Sequence, residues 1–348
     1  MKALGSFSIV VALAAAVLIL GRLEQLRLLF GVIVPYAAIT TFLLGVSYRV
    51  VRWSLSPVPF RIPTTCGQQK SLPWIKANWI ENPYRTTGVI CRMLLEILLF
   101  RSLFRNTKAE LRQRSAGFQP DQGRQNGGGA HGGPRLIYGE SKFLWLGALA
   151  FHWSFLFIFL RHLRFFTEPV PHWVLLLDRV DSFFQIGAPI LYVTDVVIVV
   201  AMIYLLQRRL RDPQVRYISL LADYFAVFLI LGLAISGIWM RYFTRVDIVA
   251  IKQLAIGLVT FSPIVPKEVG ALFFVHLFLL STLAAYFPFS KLMHMGGVFL
   301  TPTRNLANNN RMKRHVNPWD YPVKVHTYQE WEAEFHDKIA AAGLPLEK

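Results

Sequence analysis

The chain is short of cysteine, of acidic residues and of long polar stretches, and each shortage narrows the range of functions open to it. Among 348 residues there are two cysteines, Cys66 and Cys91. An iron–sulfur cluster takes four protein ligands, so the chain does not carry a cluster of its own. Both cysteines fall in a segment expected on the cytoplasmic side, where disulfides are rare. No Cys-x-x-Cys-His is present, which argues against a covalently attached c-type haem. The glycines of QPDQGRQNGGGAHGG (119–133) lack the Lys-Ser/Thr of a phosphate loop. That tract reads as a linker, with His131 solvated within it. Acidic residues number 20 against 37 Lys and Arg, a net charge of +17. On a soluble protein such an excess suggests nucleic acid; here it collects in a few segments between apolar runs, as the positive-inside rule expects of cytoplasmic loops. No nucleic-acid partner is expected.

Apolar sequence, by contrast, is abundant. Hydrophobic residues make up 54% of the chain and the mean hydropathy is +0.42. The apolar residues come in runs long enough to cross a bilayer, which implies an all-α, polytopic membrane bundle. Six spans are expected, near 3–20, 29–53, 142–166, 186–206, 219–240 and 269–295. The first competes with a signal peptide, for which small residues such as Ala12 and Ala14 speak. No polar cleavage region follows it, which favours a retained helix. Residues 54–141 form a basic cytoplasmic insertion carrying Arg101, Arg105, Lys108, Arg112 and Arg114. Within it, 88–104 is amphipathic and too charged to span, so it is expected at the membrane face or against a partner. Residues 142–295 make a four-helix region, and 296–348 a cytoplasmic tail. In that tail TYQEWEAEFHDKIAAAGL (327–344) reads as a helix with one aromatic face, suited to a soluble partner. His315, His326 and His336 belong to that surface. Basic clusters after the second, fourth and sixth spans place both termini in the cytoplasm, with Arg22 and Arg27 as exceptions to the pattern.

The chemistry lies in the histidines. KFLWLGALAFHWSFLFIFLRHLRFF (142–166) carries His152 and His162, and the run near 269–295 carries His276 and His294. A single imidazole in a membrane helix is most often hydrogen-bonded to a neighbouring helix, but four confined to two helices ask for a common role. The run 269–295 reads as one helix, and a spacing of eighteen puts His276 and His294 on one face, roughly 27 Å apart. A spacing of ten puts His152 and His162 about 15 Å apart. The two helices run in opposite directions, so His162 meets His276 at an outer level and His152 meets His294 at an inner one. Two bis-histidine haems follow from this order, with no axial position left open, which suits electron transfer. The separation of the pairs excludes a four-histidine zinc or copper site.

Around the outer pair, Arg161 and Arg164 either meet haem propionates or snorkel to the headgroups. Asp195, in the apolar run ILYVTDVVIVV, looks like an unpaired carboxylate and is either a proton acceptor for a quinol or a structural hydrogen-bonding group. Arg179, Asp181 and His172, in the loop after the third span, are further candidates for a quinone pocket.

The spacings of ten and eighteen, together with Pro171–His172–Trp173, resemble the gamma subunit family of respiratory nitrate reductases over about residues 30–295. The resemblance implies two non-covalent haems b and a quinone or menaquinone as substrate. That family uses a lysine beyond the Pro-His-Trp, and this chain has none at the matching place. Three further stretches resemble the DsrM family of membrane cytochromes from sulfite-reduction-associated complexes, over nearly the whole chain. They are IPTTCGQQKSL (62–72), LLFRSLFRNTKAEL (98–111) and TPTRN…NNNRMKRHVNPWD (301–320). This second resemblance implies a cytoplasmic iron–sulfur partner of heterodisulfide-reductase type (DsrK-like). It also implies a multihaem cytochrome c in the same assembly and electron exchange between the quinone pool and sulfur metabolism. The residues thus point to an oxidoreductase subunit in the cytoplasmic membrane. A proton-coupled transporter is the rival reading, against which stand the paired histidine levels and the expected absence of repeat symmetry or of helices broken in mid-membrane.

Overall fold

A computed structural model describes residues 2–56, 68–71, 73–112, 135–184, 190–301, 304–309 and 325–346. These form two compact units, Met1–Ser54 with Ile90–Thr301, and Leu55–Val89 with Pro302–Lys348. Cys66, His131 and His315 lie outside the described residues, as do most of the 62–72 and 308–320 stretches.

The larger unit is a bundle. Its helices are α1 (Lys2–Leu20), α2 (Val34–Ser54), α3 (Thr86–Leu99, whose start belongs to the other unit), α4 (Arg101–Phe104), α5 (Lys142–His162), α6 (His172–Asp181), α7 (Val193–Arg211), α8 (Pro213–Ile218), α9 (Leu221–Trp239), α10 (Ile248–Val259), α11 (Ala271–Tyr286) and α12 (His294–Leu300). Five helical stretches are long and apolar enough to cross a membrane: Lys2–Leu20, Glu24–Ser54, Lys142–Phe165, Leu221–Thr244 and Ala271–Phe289. The chain is a multi-pass membrane protein. The expected fourth span, 186–206, is shifted and less apolar. Helix α7 begins only at Val193, and its 19 residues include Asp195 at one end and Arg208, Arg209 and Arg211 at the other. Before it, β3 (Ser182–Phe184) pairs antiparallel with β4 (Leu191–Tyr192). A second antiparallel pair, β1 (Thr107–Arg112) with β2 (Arg135–Glu140), lies within the basic insertion, for which only a helix and a linker were expected.

Packing in the bundle runs α5 on α7, α7 on α9, α9 on α1 and α11, and α11 on α2. Leu229 of α9 and Phe274 of α11 are fully buried, among Val10, Val17, Phe30, Ile198 and Met202. Two glycines permit the tightest approaches. A Cβ at Gly147 of α5 would lie 2.6 Å from Tyr204 of α7, and one at Gly45 of α2 would lie 2.6 Å from Pro288. Helices α5 and α11 each have their main packing elsewhere, so the elements carrying the histidines face each other without extensive backbone contact.

The run 269–295 is not one helix. Helix α11 stops at Tyr286; Phe287–Phe289 and Lys291–Met293 are short 3₁₀ turns separated by an extended Ser290; α12 then starts at His294. Pro288 supplies the reason, since it has no N–H to continue the ladder. The shared helical face expected for His276 and His294 is therefore not what aligns them. Arg27, an exception to the charge pattern, is also accounted for: its Nη2 donates to the Pro266 carbonyl at 2.6 Å and its guanidinium lies over Phe274.

In the smaller unit, Asn308 is buried; its N–H donates to the Pro83 carbonyl at 2.6 Å and its Nδ2 to Asn82 Oδ1 at 2.7 Å. The tail helix is present as α13 (Tyr328–Ala341), opened by a reciprocal Thr327–Glu330 cap.

Candidate functional site

The four histidines come together as two pairs, named here inner and outer after the orientation expected from the charge pattern. His162 and His276 have ring centres 6.4 Å apart and rings tilted by 13°. His152 and His294 have ring centres 5.9 Å apart and rings near perpendicular, at 84°. Such separations would leave room for a metal between the two rings, with each nitrogen about 2 Å from it.

Each Nδ1 is engaged. His152 Nδ1 lies 2.8 Å from the Ala148 carbonyl, His162 Nδ1 2.7 Å from that of Ile158, and His294 Nδ1 2.8 Å from that of Lys291. A carbonyl only accepts, so these three rings carry the proton on Nδ1 and the free lone pair on Nε2. His276 Nδ1 lies 2.8 Å from Ser236 Oγ on α9, while that hydroxyl donates to the Leu233 carbonyl at 3.0 Å. The hydroxyl proton is thus committed, and Ser236 accepts from His276. Metal-bound histidines characteristically have the second nitrogen held in this way. Among the described residues no three His, Cys, Asp or Glu side chains gather to hold a metal ion. Two neutral nitrogens per site, with no third protein donor, fit a metal whose remaining ligands come from a macrocycle.

The inner pair has more neighbours than the sequence suggested. The amphipathic segment folds as α3 and α4, broken at Phe100, whose φ is 49°. Trp145 and Trp153 of α5 donate their indole N–H groups to the Leu99 and Leu98 carbonyls, at 2.7 and 3.0 Å. This brings Phe100 edge-on to His152, with ring centres 4.9 Å apart; Phe151 meets the same imidazole at 4.9 Å. On the other side, Asp223 of α9 binds Lys291 at 2.9 Å, and the Lys291 carbonyl is the one that holds His294. A cavity of about 380 Å³ opens beside His294, lined by Arg49, Trp53, Phe289, Lys291 and Met293 among others.

Next to the outer pair is a buried polar cluster. Arg161 is 6% exposed; its Nε lies 3.1 Å from Asp181 Oδ2 and its Nη2 3.2 Å from Asp195 Oδ1. The guanidinium lies 3.7 Å from the Tyr192 ring centre, and that of Arg241 lies 4.0 Å from the same ring centre. Asp195 Oδ2 accepts from Tyr242 Oη at 2.9 Å. Thr194 donates to Asp181 through both its N–H and its hydroxyl, at 2.9 and 2.6 Å. Asp195, read from sequence as unpaired, is therefore doubly bound; its partners lie 34 and 47 residues away along the chain. Arg161 does not snorkel, and a propionate reaching it would compete with two carboxylates. Arg164 pairs with Asp178 at 3.3 Å, which also accepts from Tyr192 Oη at 2.6 Å. His172 and Arg179 stand exposed on α6, whereas Asp181 is buried. Tyr192, Arg241, Tyr242 and Ser236 escaped the sequence reading. The one available signal was an arginine and a tyrosine at the end of an apolar run, RYF at 241–243.

The sequence matches the nitrate reductase gamma subunit family over residues 137–315. It is 43% identical over 303 residues to the Hdr-like menaquinol oxidoreductase cytochrome b-like subunit of Archaeoglobus fulgidus, covering 85% of each chain. To the protein of the same description from Archaeoglobus profundus it is 38% identical over 293 residues, covering 82% of this chain and 81% of that one.

Proposed function

Because the chain belongs to the nitrate reductase gamma subunit family, we propose that it is a quinol-linked membrane cytochrome b with two haems b. In this reading the inner haem is held by His152 and His294, and the outer by His162 and His276. The observation that carries it is the double pairing, in which every Nδ1 is anchored and every Nε2 is left to ligate. These four histidines would hold the haems, which would supply one-electron carriers at the two levels.

The chain's own residues do the rest. The outer cluster is the quinone site, and menaquinol is the substrate that the relatives' description supports. A quinol sheds two protons with its two electrons. Asp195 accepts a proton there, with Arg161 and Tyr242 fixing the direction of its oxygens. Asp181 holds Arg161 from the other side, and His172 and Arg179 border the approach. The inner pair faces the side of the basic clusters, so that both termini lie in the cytoplasm and the protein sits in the cytoplasmic membrane.

An iron–sulfur subunit of heterodisulfide-reductase type docks at the inner end, in line with the Hdr-like description of both relatives. The assembly is of the Dsr kind, with a multihaem cytochrome c and a role in sulfur metabolism. The test is a reduced-minus-oxidised visible spectrum of the purified chain with a haem count. About two haems b per chain, extracted by acid–acetone, are expected; one, none, or haem that stays with the protein refutes the proposal.

A further inference from the structure

Three of the four histidines are anchored by a backbone carbonyl three or four residues earlier in their own segment. No side-chain substitution removes such an acceptor. His276 differs: beside the backbone carbonyl of Leu233, its ring has a side-chain partner, Ser236 Oγ, forty residues away on α9. Ser236 is 7% exposed, and its Oγ is itself oriented by donating to Leu233. At the next residue, Gly237, a Cβ would stand 3.4 Å from His276 Cε1, at van der Waals contact. Helix α9 thus lies directly against this ring and, through Ser236, fixes its rotation.

We propose that Ser236 is the positioning residue that tunes the outer haem, a proposal that rests on the bis-histidine reading above. The Nδ1–H···Oγ bond pushes electron density onto the ring and makes Nε2 a stronger donor. A stronger donor favours the ferric over the ferrous state, so this bond lowers the potential of the outer centre. Because Ser236 also donates to Leu233, its oxygen is a better acceptor than a free hydroxyl would be. The inner pair, anchored on main-chain carbonyls at both rings, is insensitive to this position.

Redox titration of the haem spectra in the full chain tests this, with Ser236→Ala and Ser236→Thr beside the wild type. Alanine should keep both haems and move the potential of one component upward. That component should be the one lost in His276→Ala. Threonine, which keeps the hydroxyl, should return it close to the wild-type value. If alanine leaves both potentials unchanged, shifts both alike, lowers the outer one or expels the outer haem, the tuning role is wrong while the haem reading stands. If the wild type itself shows fewer than two low-spin components, the haem reading falls and the tuning role falls with it.

Discussion

At the scale of the residue, Arg161 shows how a charge can survive within an apolar bundle. Removing one partner of a buried pair costs about 3–5 kcal/mol, because the other charge is left without compensation. Arg161 has two carboxylates, so the loss of one leaves it still paired with the other. Asp195→Asn is therefore an informative substitution: Asp181 continues to hold Arg161, and asparagine still accepts from Tyr242. The variant should keep both haems and normal spectra. Their reduction by a quinol analogue should slow about 100-fold or more, within the range that a positioned proton acceptor contributes. Reduction by dithionite, which needs no proton acceptor, should stay at the wild-type rate. Unaltered quinol kinetics by stopped-flow spectroscopy would remove Asp195 from the proposed proton step.

At the scale of the element, the position of the inner histidines depends on interruptions. Pro288 ends the ladder of α11, and Arg49 Nε takes the freed Pro288 carbonyl at 2.9 Å, fixing the turn to α2. Phe100 breaks the amphipathic segment and carries its ring to His152. Helix α5 itself is set by its contact with α7 at Gly147. An added methyl group there meets Tyr204 at 2.6 Å, well inside van der Waals contact, and the ring has to move. Gly147→Ala should destabilise the bundle by about 1–3 kcal/mol. The check is thermal loss of the haem spectrum in detergent, in which the variant should fail at a lower temperature than the wild type. Since His152 lies five residues further along α5, the inner component should be the first to go.

At the scale of the whole molecule, the decisive feature is the antiparallel relation of α5 and α11, which matches an outer histidine to an outer one. His162→Ala and His276→Ala should each delete the same redox component, and His152→Ala and His294→Ala the other. Loss of a shared component by the His152 and His276 variants would overturn the pairing. Redox titration of the four variants decides between these outcomes.

The sequence by itself determined that the chain is an all-α membrane bundle, because the runs of apolar residues admit no other solvent than lipid. It also determined which histidines meet, since helix direction alternates with each crossing and needs only the order of residues. It did not determine that 269–295 breaks at Pro288, because a proline inside a membrane helix is compatible with a kink as well as with a stop. The hydrogen-bond partners were likewise beyond it. Asp195, Tyr242 and Arg161 belong to three different helical segments, and Asp223 and Lys291 to two; nothing local in the chain marks such pairs. Tertiary structure decided them, because buried polar groups must find partners wherever packing brings donors and acceptors within about 3 Å. Ser236 is the sharpest case: in sequence it is one serine in an apolar run, and only the packing of α9 against α11 gives it a histidine.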